Sequence, residues 1–240
     1  LGQGDLENAW GYAENALRQA ERFTGPQSTS GATLAPLLAE MAYERKNLDS
    51  LNTLLADRLE FIDRFGPPDA LSRCYTYLAR QALNDDMPHE AERLLEHAQR
   101  LAVSRGWQRP QALLLAEQAR VRLQRANYPG AEQLQRQLEQ LAAHATVDAE
   151  SPCQRAIAQH ANVSRSRLLL ASGQAPQASL LLGELVTEQE RRGDRLSAAR
   201  LRTLWSLSLW DSGENAAAVA ALQPVLQLAA QQHLKRIFLD

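Results

Sequence analysis

Aromatic residues make up only 5% of this 240-residue chain, and the two cysteines, Cys74 and Cys153, lie far apart with no Cys-x-x-Cys pair. Such sparse cysteine fits a reduced, cytoplasmic setting rather than a disulfide framework. No apolar run approaches the length of about 18 residues that a membrane helix needs, and the N-terminus lacks a basic-then-apolar leader. The sequence therefore reads as a soluble protein, or a soluble piece of something larger, with no membrane partner. A formal net charge of −2 argues against a general polyanion-binding surface but leaves room for a local basic groove. Catalytic signatures are missing too: there is no Gly-x-Ser-x-Gly, Gly-x-x-x-x-Gly-Lys-Ser/Thr, Gly-x-Gly-x-x-Gly or His-Glu-x-x-His. Cys153 and His160 would share a helix face, but two ligands do not make a metal site. No enzyme, metal or cofactor is expected.

What the chain does contain is Ala, Leu, Gln, Glu and Arg, all helix formers, with few β-branched residues. It also contains a repeat. Gly173-Gln-Ala-Pro-Gln-Ala178 is echoed by Gly4-Asp-Leu-Glu-Asn-Ala9 and Gly213-Glu-Asn-Ala-Ala-Ala218. Looser copies end at Leu51, Ala91 and Ala131, so the markers fall at 9, 51, 91, 131, 178 and 218, spaced by 42, 40, 40, 47 and 40 residues. A period of roughly 40 residues means stacked repeats, each packing on its neighbours, rather than one globular core. Twelve residues before each complete marker stand Ala39, Ala79, Ala119, Ser166 and Ser206, all small. Two small residues on either side of a turn let the helices of a hairpin cross closely, where larger ones would cost roughly 1–3 kcal/mol. Leu51 breaks the rule and predicts a wider second hairpin.

This small-residue skeleton resembles that of tetratricopeptide repeats, although the family's aromatic and closing Pro are mostly missing and the unit exceeds the usual length of about 34 residues. The fold expected is all-α: a right-handed superhelix, or α-solenoid, of helical hairpins forming one domain over 1–240. A partial hairpin covers 1–23 and complete ones about 33–65, 70–105, 111–143, 153–192 and 196–232. Thr24–Gly31 reads as a loop, and Pro36 as a residue of the first turn of the helix that follows. The connection from His144 to Pro152 accounts for the 47-residue spacing. At the ends, Leu6, Ala9, Ala13, Ala16 and Leu17 lack a preceding helix to cover them, and the tail after Gln232 carries apolar residues that the last helix cannot bury alone. Both suggest a chain that continues on either side, whose exposed ends invite end-to-end or two-fold contacts and a homo-oligomer.

The tail phrase Lys235-Arg-Ile-Phe-Leu-Asp240 resembles the end of the repeat domain in MalT-like regulators, which are large ATP-dependent transcription factors of the LuxR type. That resemblance implies a sensor and coupling domain that receives an inducer or partner protein. The nucleotide-binding and helix-turn-helix domains would be partners outside this chain, and DNA would be reached only through the latter. The competing reading is a tetratricopeptide scaffold or adaptor that grips an acidic peptide and has nothing to do with DNA.

Within this frame one constellation stands out. Eleven residues before the markers the register gives Glu40, Arg80, Arg120, Arg167 and Leu207, in first helices whose corresponding tetratricopeptide position faces the concave groove. Arg73, His160 and Arg200 occupy a second groove register. Such a ladder suits a carboxylate, phosphate or acidic peptide, because guanidinium clamps oxyanions with two parallel hydrogen bonds. The alternative is that the arginines bridge to acidic residues of neighbouring hairpins. Trp210 shares a groove register with Tyr43, Leu83, Leu123 and Leu170, and is either a stacking face for a ring ligand or repeat packing. Trp107 is expected to plug the gap between the third and fourth hairpins. Glu117 with Arg120, and Glu188 with Arg191 and Arg192, read as weak pairs on a solvated helix surface.

Overall fold

A computed structural model describes residues 5–144 and 151–239; Gly4, the connection at 145–150 and Asp240 lie outside the described residues. Among these, twelve helices and no strand occur. The chain folds as a right-handed superhelix of helical hairpins. Helix α1 (Leu6–Thr24) is followed by α2 (Thr29–Glu44), paired with α3 (Leu48–Leu55) and α4 (Leu59–Phe65). Hairpins then follow as α5 (Pro68–Asn84) with α6 (Pro88–Ser104), and α7 (Gln108–Gln124) with α8 (Tyr128–His144). The last two are α9 (Pro152–Ala171) with α10 (Ala175–Arg191), and α11 (Arg195–Asp211) with α12 (Asn215–Gln232). First helices α2, α5, α7, α9 and α11 touch in succession and form the inner wall; each second helix lies outside and contacts the next inner helix.

The small pairs sit where the hairpins cross. Ala79 and Ala91, Ala119 and Ala131, and Ser166 and Ala178 are all buried, and so are Ala39, its partner Leu51, and Ala218. The Ser206 hydroxyl donates to the Ala218 carbonyl at 2.9 Å, direct contact between two positions twelve apart. Each turn is built alike. The residue five before the marker is left-handed (Lys46, Asp86, Ala126, Gly173 and Gly213, with φ of 61, 57, 54, 72 and 83°). The next N–H returns to a carbonyl five residues back, as in Gln174 to Leu169 and Glu214 to Leu209. This closes the orphan carbonyls of the preceding helix. Only two of these five places are glycine.

Three expectations need correction. Helix α2 starts at Thr29 because Ser28 caps it, accepting from the Gly31 N–H at 3.1 Å. Gly31 is required there, since a Cβ would stand 2.8 Å from the Pro26 carbonyl. Pro36 is thus interior to the helix, not in its first turn. The helix after Leu48 is interrupted at 56–58, where Arg58 donates to the Leu54 carbonyl at 2.7 Å and pairs with Glu21 of α1. Most consequential, the two ends find cover in each other. Leu6, Ala13 and Leu17 of α1 join one core with Leu38 and Met41 of α2, Val225 and Leu228 of α12, and Leu234 and Ile237 of the tail. The Leu6 N–H donates to Gln232 Oε1 at 2.8 Å. The last hairpin has come round to face the first.

The tail achieves this through His233, a left-handed cap (φ 57°) that ends α12 and turns the chain inward. The Lys235 N–H then donates to the Glu44 carbonyl at 2.8 Å, and a 3-10 turn, Arg236–Phe238, packs against α2 and α11. No helix among the described residues is long and apolar enough to cross a membrane.

Candidate functional groove

The inner wall carries two carboxylate-centred clusters that the tail helps to enclose. In the first, Glu117 of α7 is 4% exposed. It accepts from Arg80 of α5 through both oxygens, at 3.1 and 2.5 Å, and from Arg120 Nε at 3.0 Å. Burial pushes the Glu117 carboxyl up, but Arg80 and Arg120 outweigh it and hold the group well below the ordinary carboxylate range. The Arg80 guanidinium also lies 5.4 Å from the centroid of the Tyr77 ring. What the sequence presents as a surface pair, Glu117 with Arg120, is therefore buried in the groove. The Glu188 pairs with Arg191 and Arg192 do form on the outside.

The second cluster joins the ends of the array. Arg200 of α11 donates to Glu40 at 3.1 Å, to Glu44 at 2.6 Å and to the Tyr77 hydroxyl at 3.4 Å. Arg73 Nε reaches the other oxygen of Glu40 at 2.7 Å. Burial alone would raise the Glu40 pKa; Arg200 and Arg73 bring it below normal instead. Burial and the nearby Glu40 push the Tyr77 hydroxyl the other way, well above the usual tyrosine range. Beside it, Arg236 of the tail donates to the Tyr43 hydroxyl at 2.6 Å and to Asn84 Oδ1 at 2.8 Å, with its guanidinium 4.7 Å from the Tyr43 ring centroid.

Three cavities surround these clusters, and Arg80 borders all of them. The first, of about 470 Å³, lies between α11, α12 and the tail; Arg80, Arg167, Arg200 and Arg236 face it with Glu44. Its apolar side includes Leu204, Leu207, Trp210, Leu222, Phe238 and Leu239. The second, of about 520 Å³, reaches Arg120 and Arg125 on the far side of Arg236 and Leu239. The third, of about 210 Å³, holds Arg73, Arg109 and His160. Burial lowers the His160 pKa to about 4, with Arg109 and Arg167 adding to the drop and Glu117 opposing it.

All six residues singled out in the sequence thus border the same groove system: Arg73, Arg80, Arg120, Arg167, Arg200 and Trp210. Arg73, Arg80 and Arg120 are held by carboxylates of their own or neighbouring hairpins, and Arg200 by Glu40 and Glu44 from the other end of the array. Trp210 is 56% exposed at the first cavity. Its helix-mate Trp205 packs inside the array, with Gly183 against its indole and its Nε1 donating to Ser179 Oγ at 3.3 Å. Trp107 is half-buried against a core that runs from α2 to Leu114 and Val121 of α7, beneath the Arg105 guanidinium. The sequence reading missed Glu44 and Arg236 as groove residues, while Tyr43, given a groove register there, does meet Arg236. Glu44 follows Glu40 by one helical turn, a signal that was present; nothing local announces that Arg236 would fold back. Among the described residues, no group of three or more His, Cys, Asp or Glu is placed to hold a metal ion.

Comparison with known proteins bears on the fold and the family. The crystal structure of BtubC (BKLC) from P. vanneervenii is similar at a TM-score of 0.56 and 15% identity, over 95% of this chain and 92% of that one. A Podosopora anserina putative kinesin light chain with nearly identical TPR-like repeats gives a TM-score of 0.46 at 20% identity, over 84% and 97% of the two chains. A sequence search of curated proteins finds no match. The family profile described as the MalT-like TPR region matches residues 1–240, the whole chain. The chain belongs to the MalT-like TPR region family.

Proposed function

We propose that this domain is the effector-sensing and protein-interaction unit of a LuxR-type transcription regulator and does no chemistry itself. The observation that carries the reading is the closure of the array on its own groove. Arg200 ties α11 to Glu40 and Glu44 of α2, and the tail is held beside it. A ligand entering the groove competes for, or adds to, the contacts that keep the first and last hairpins together. It therefore has the differential affinity for two arrangements that a population shift demands; equal affinity would shift nothing. Partner domains of the same regulator would read the arrangement, in the cytoplasm.

The test has two parts. Reading the gene beyond this segment should reveal a helix-turn-helix; a stop codon with none on either side would sink the regulator reading. Melting temperature measured against sugars, organic acids, phosphorylated metabolites and acidic peptides should rise with one class. That rise should shrink in Arg167→Gln, and a rise unchanged in that variant would move the site out of the groove. The adaptor reading, in which the groove grips an acidic peptide, draws on one observation: a segment of the chain's own, the basic and apolar Lys235–Leu239, already lies there, so the groove admits main chain. An acidic peptide as the sole hit would select it.

A further inference from the structure

We infer that the ends of α2 and α5 form an arginine-recognition pocket for a partner protein, whose arginine, followed by apolar residues, takes the place of the chain's own Arg236. This rests on the protein-interaction half of the proposed function and names the chemistry of the partner segment. Tyr43 and Glu44 close α2 and Asn84 closes α5, so the C-termini of two inner helices meet at the site, each with the negative end of its dipole toward a bound cation. The groups that meet Arg236 are acceptors and a ring face. The Tyr43 hydroxyl and Asn84 Oδ1 accept from its two terminal nitrogens at 2.6 and 2.8 Å, and its guanidinium lies 4.7 Å from the Tyr43 centroid, where an aromatic face attracts a cation. The Tyr77 ring, 5.2 Å away, holds the Tyr43 ring in place. One residue earlier the Lys235 N–H donates to the Glu44 carbonyl; one residue later Ile237 enters the core of Leu38 and Met41. A main-chain bond, an arginine anchor and an apolar site in succession are what a groove needs to read a short linear segment.

The tail fills this site only in part. Cavities of about 470 and 520 Å³ flank it, and Phe238 and Leu239 stay 40% and 59% exposed beside them. A partner segment that repeats the Arg236 contacts and continues over the exposed Leu207 and Trp210 gains apolar contacts that the tail lacks. It needs that gain, because the tail competes at an effective concentration on the order of millimolar. Displacement also removes the Lys235–Glu44 bond and the Ile237 packing between the last hairpin and α2, which couples partner binding to the arrangement of the end hairpins.

The probe is the peptide Leu-Lys-Arg-Ile-Phe-Leu carrying fluorescein, titrated by fluorescence anisotropy into the whole chain and into Arg236→Ala, which clears the pocket of its own side chain. The peptide should bind Arg236→Ala at least ~tenfold more tightly than the wild type. Peptides with lysine or glutamate in place of that arginine should bind the variant at least ~tenfold more weakly, since an ammonium lacks the planar fork and a carboxylate has the wrong sign. Adding Asn84→Ala should weaken the arginine peptide while the helical circular dichroism stays native. Should a variant unfold, hydrogen exchange in the wild type decides: the arginine peptide at ~1 mM should speed exchange of the Lys235 amide, and the glutamate peptide should not. Equal binding of the arginine and glutamate peptides, equal binding to the wild type and folded Arg236→Ala, or a Lys235 amide indifferent to the peptide overturns the pocket. If the peptides fail in this way while a metabolite raises the melting temperature through Arg167, the sensor reading stands and the arginine pocket alone falls.

Discussion

Replacing Glu117 by Gln keeps the shape of the side chain and removes the one charge that Arg80 and Arg120 share. Both arginines are then left in a site where their side chains are only 13% and 5% exposed. Taking one partner from a buried pair costs ~3–5 kcal/mol, because the remaining charge has lost water without compensation. For a chain of this size each kcal/mol corresponds to ~2–4 °C in melting temperature, so a fall of about 10 °C is expected. Urea unfolding followed by circular dichroism is the assay, since an ionic denaturant would screen the interaction under test. A second variant locates the cost. Arg80→Met, Glu117→Leu and Arg120→Met together should recover most of the loss, because a well-packed apolar replacement is often neutral or better. Acid should imitate the single substitution. The folded carboxyl is depressed, so its contribution is present above the unfolded value of ~4.3 and disappears as the pH drops toward the folded one. A Glu117→Gln loss below ~1 kcal/mol would refute the argument, as would a triple variant no more stable than the single.

Three further outcomes are expected. His160, held near pKa 4 when folded against ~6.5 when unfolded, stays neutral in the folded protein while the unfolded chain takes up its proton. Stability should therefore be intact above pH ~6.5 and decline as the pH falls toward 4, by a ceiling of ~3 kcal/mol reduced by the ring's partial exposure; His160→Asn should flatten that limb of the urea-midpoint profile. Ala126, left-handed at φ 54° in the α7–α8 turn, should accept glycine with a gain of ~1 kcal/mol in unfolding free energy, and no gain would mean the turn is relaxed as it is. A thiol reagent should modify exposed Cys153 promptly and buried Cys74 only on unfolding, since burial and Asp63 raise the Cys74 thiol; two fast thiols in the native protein would contradict its placement.

The repeat was legible from the sequence because it is local. Small residues at the crossings, such as Ala79 with Ala91, and the turn at Gly173 recur at a fixed period, and a repeat array needs only neighbour-to-neighbour packing. Register alone also sufficed to set Arg80, Arg120 and Arg167 on one wall, since helical spacing fixes which face a residue occupies. Where turns lack glycine, at Lys46, Asp86 and Ala126, the residues carry a weaker signal for the same left-handed geometry, because the backbone hydrogen bonds impose it whatever the side chain. Spacing could not say which carboxylates meet those arginines. Glu117 looks like a surface residue beside Arg120 until α5 brings Arg80 over it. Nor does any local pattern tell that Arg200 spans from the last hairpin to Glu40 and Glu44, or that Leu234 and Ile237 are covered by folding inward. The contacts of Arg200 with Glu40 and Glu44 join residues 160 and 156 positions apart. They follow from the summed rotation of successive hairpins, a property of the whole array that no single repeat encodes.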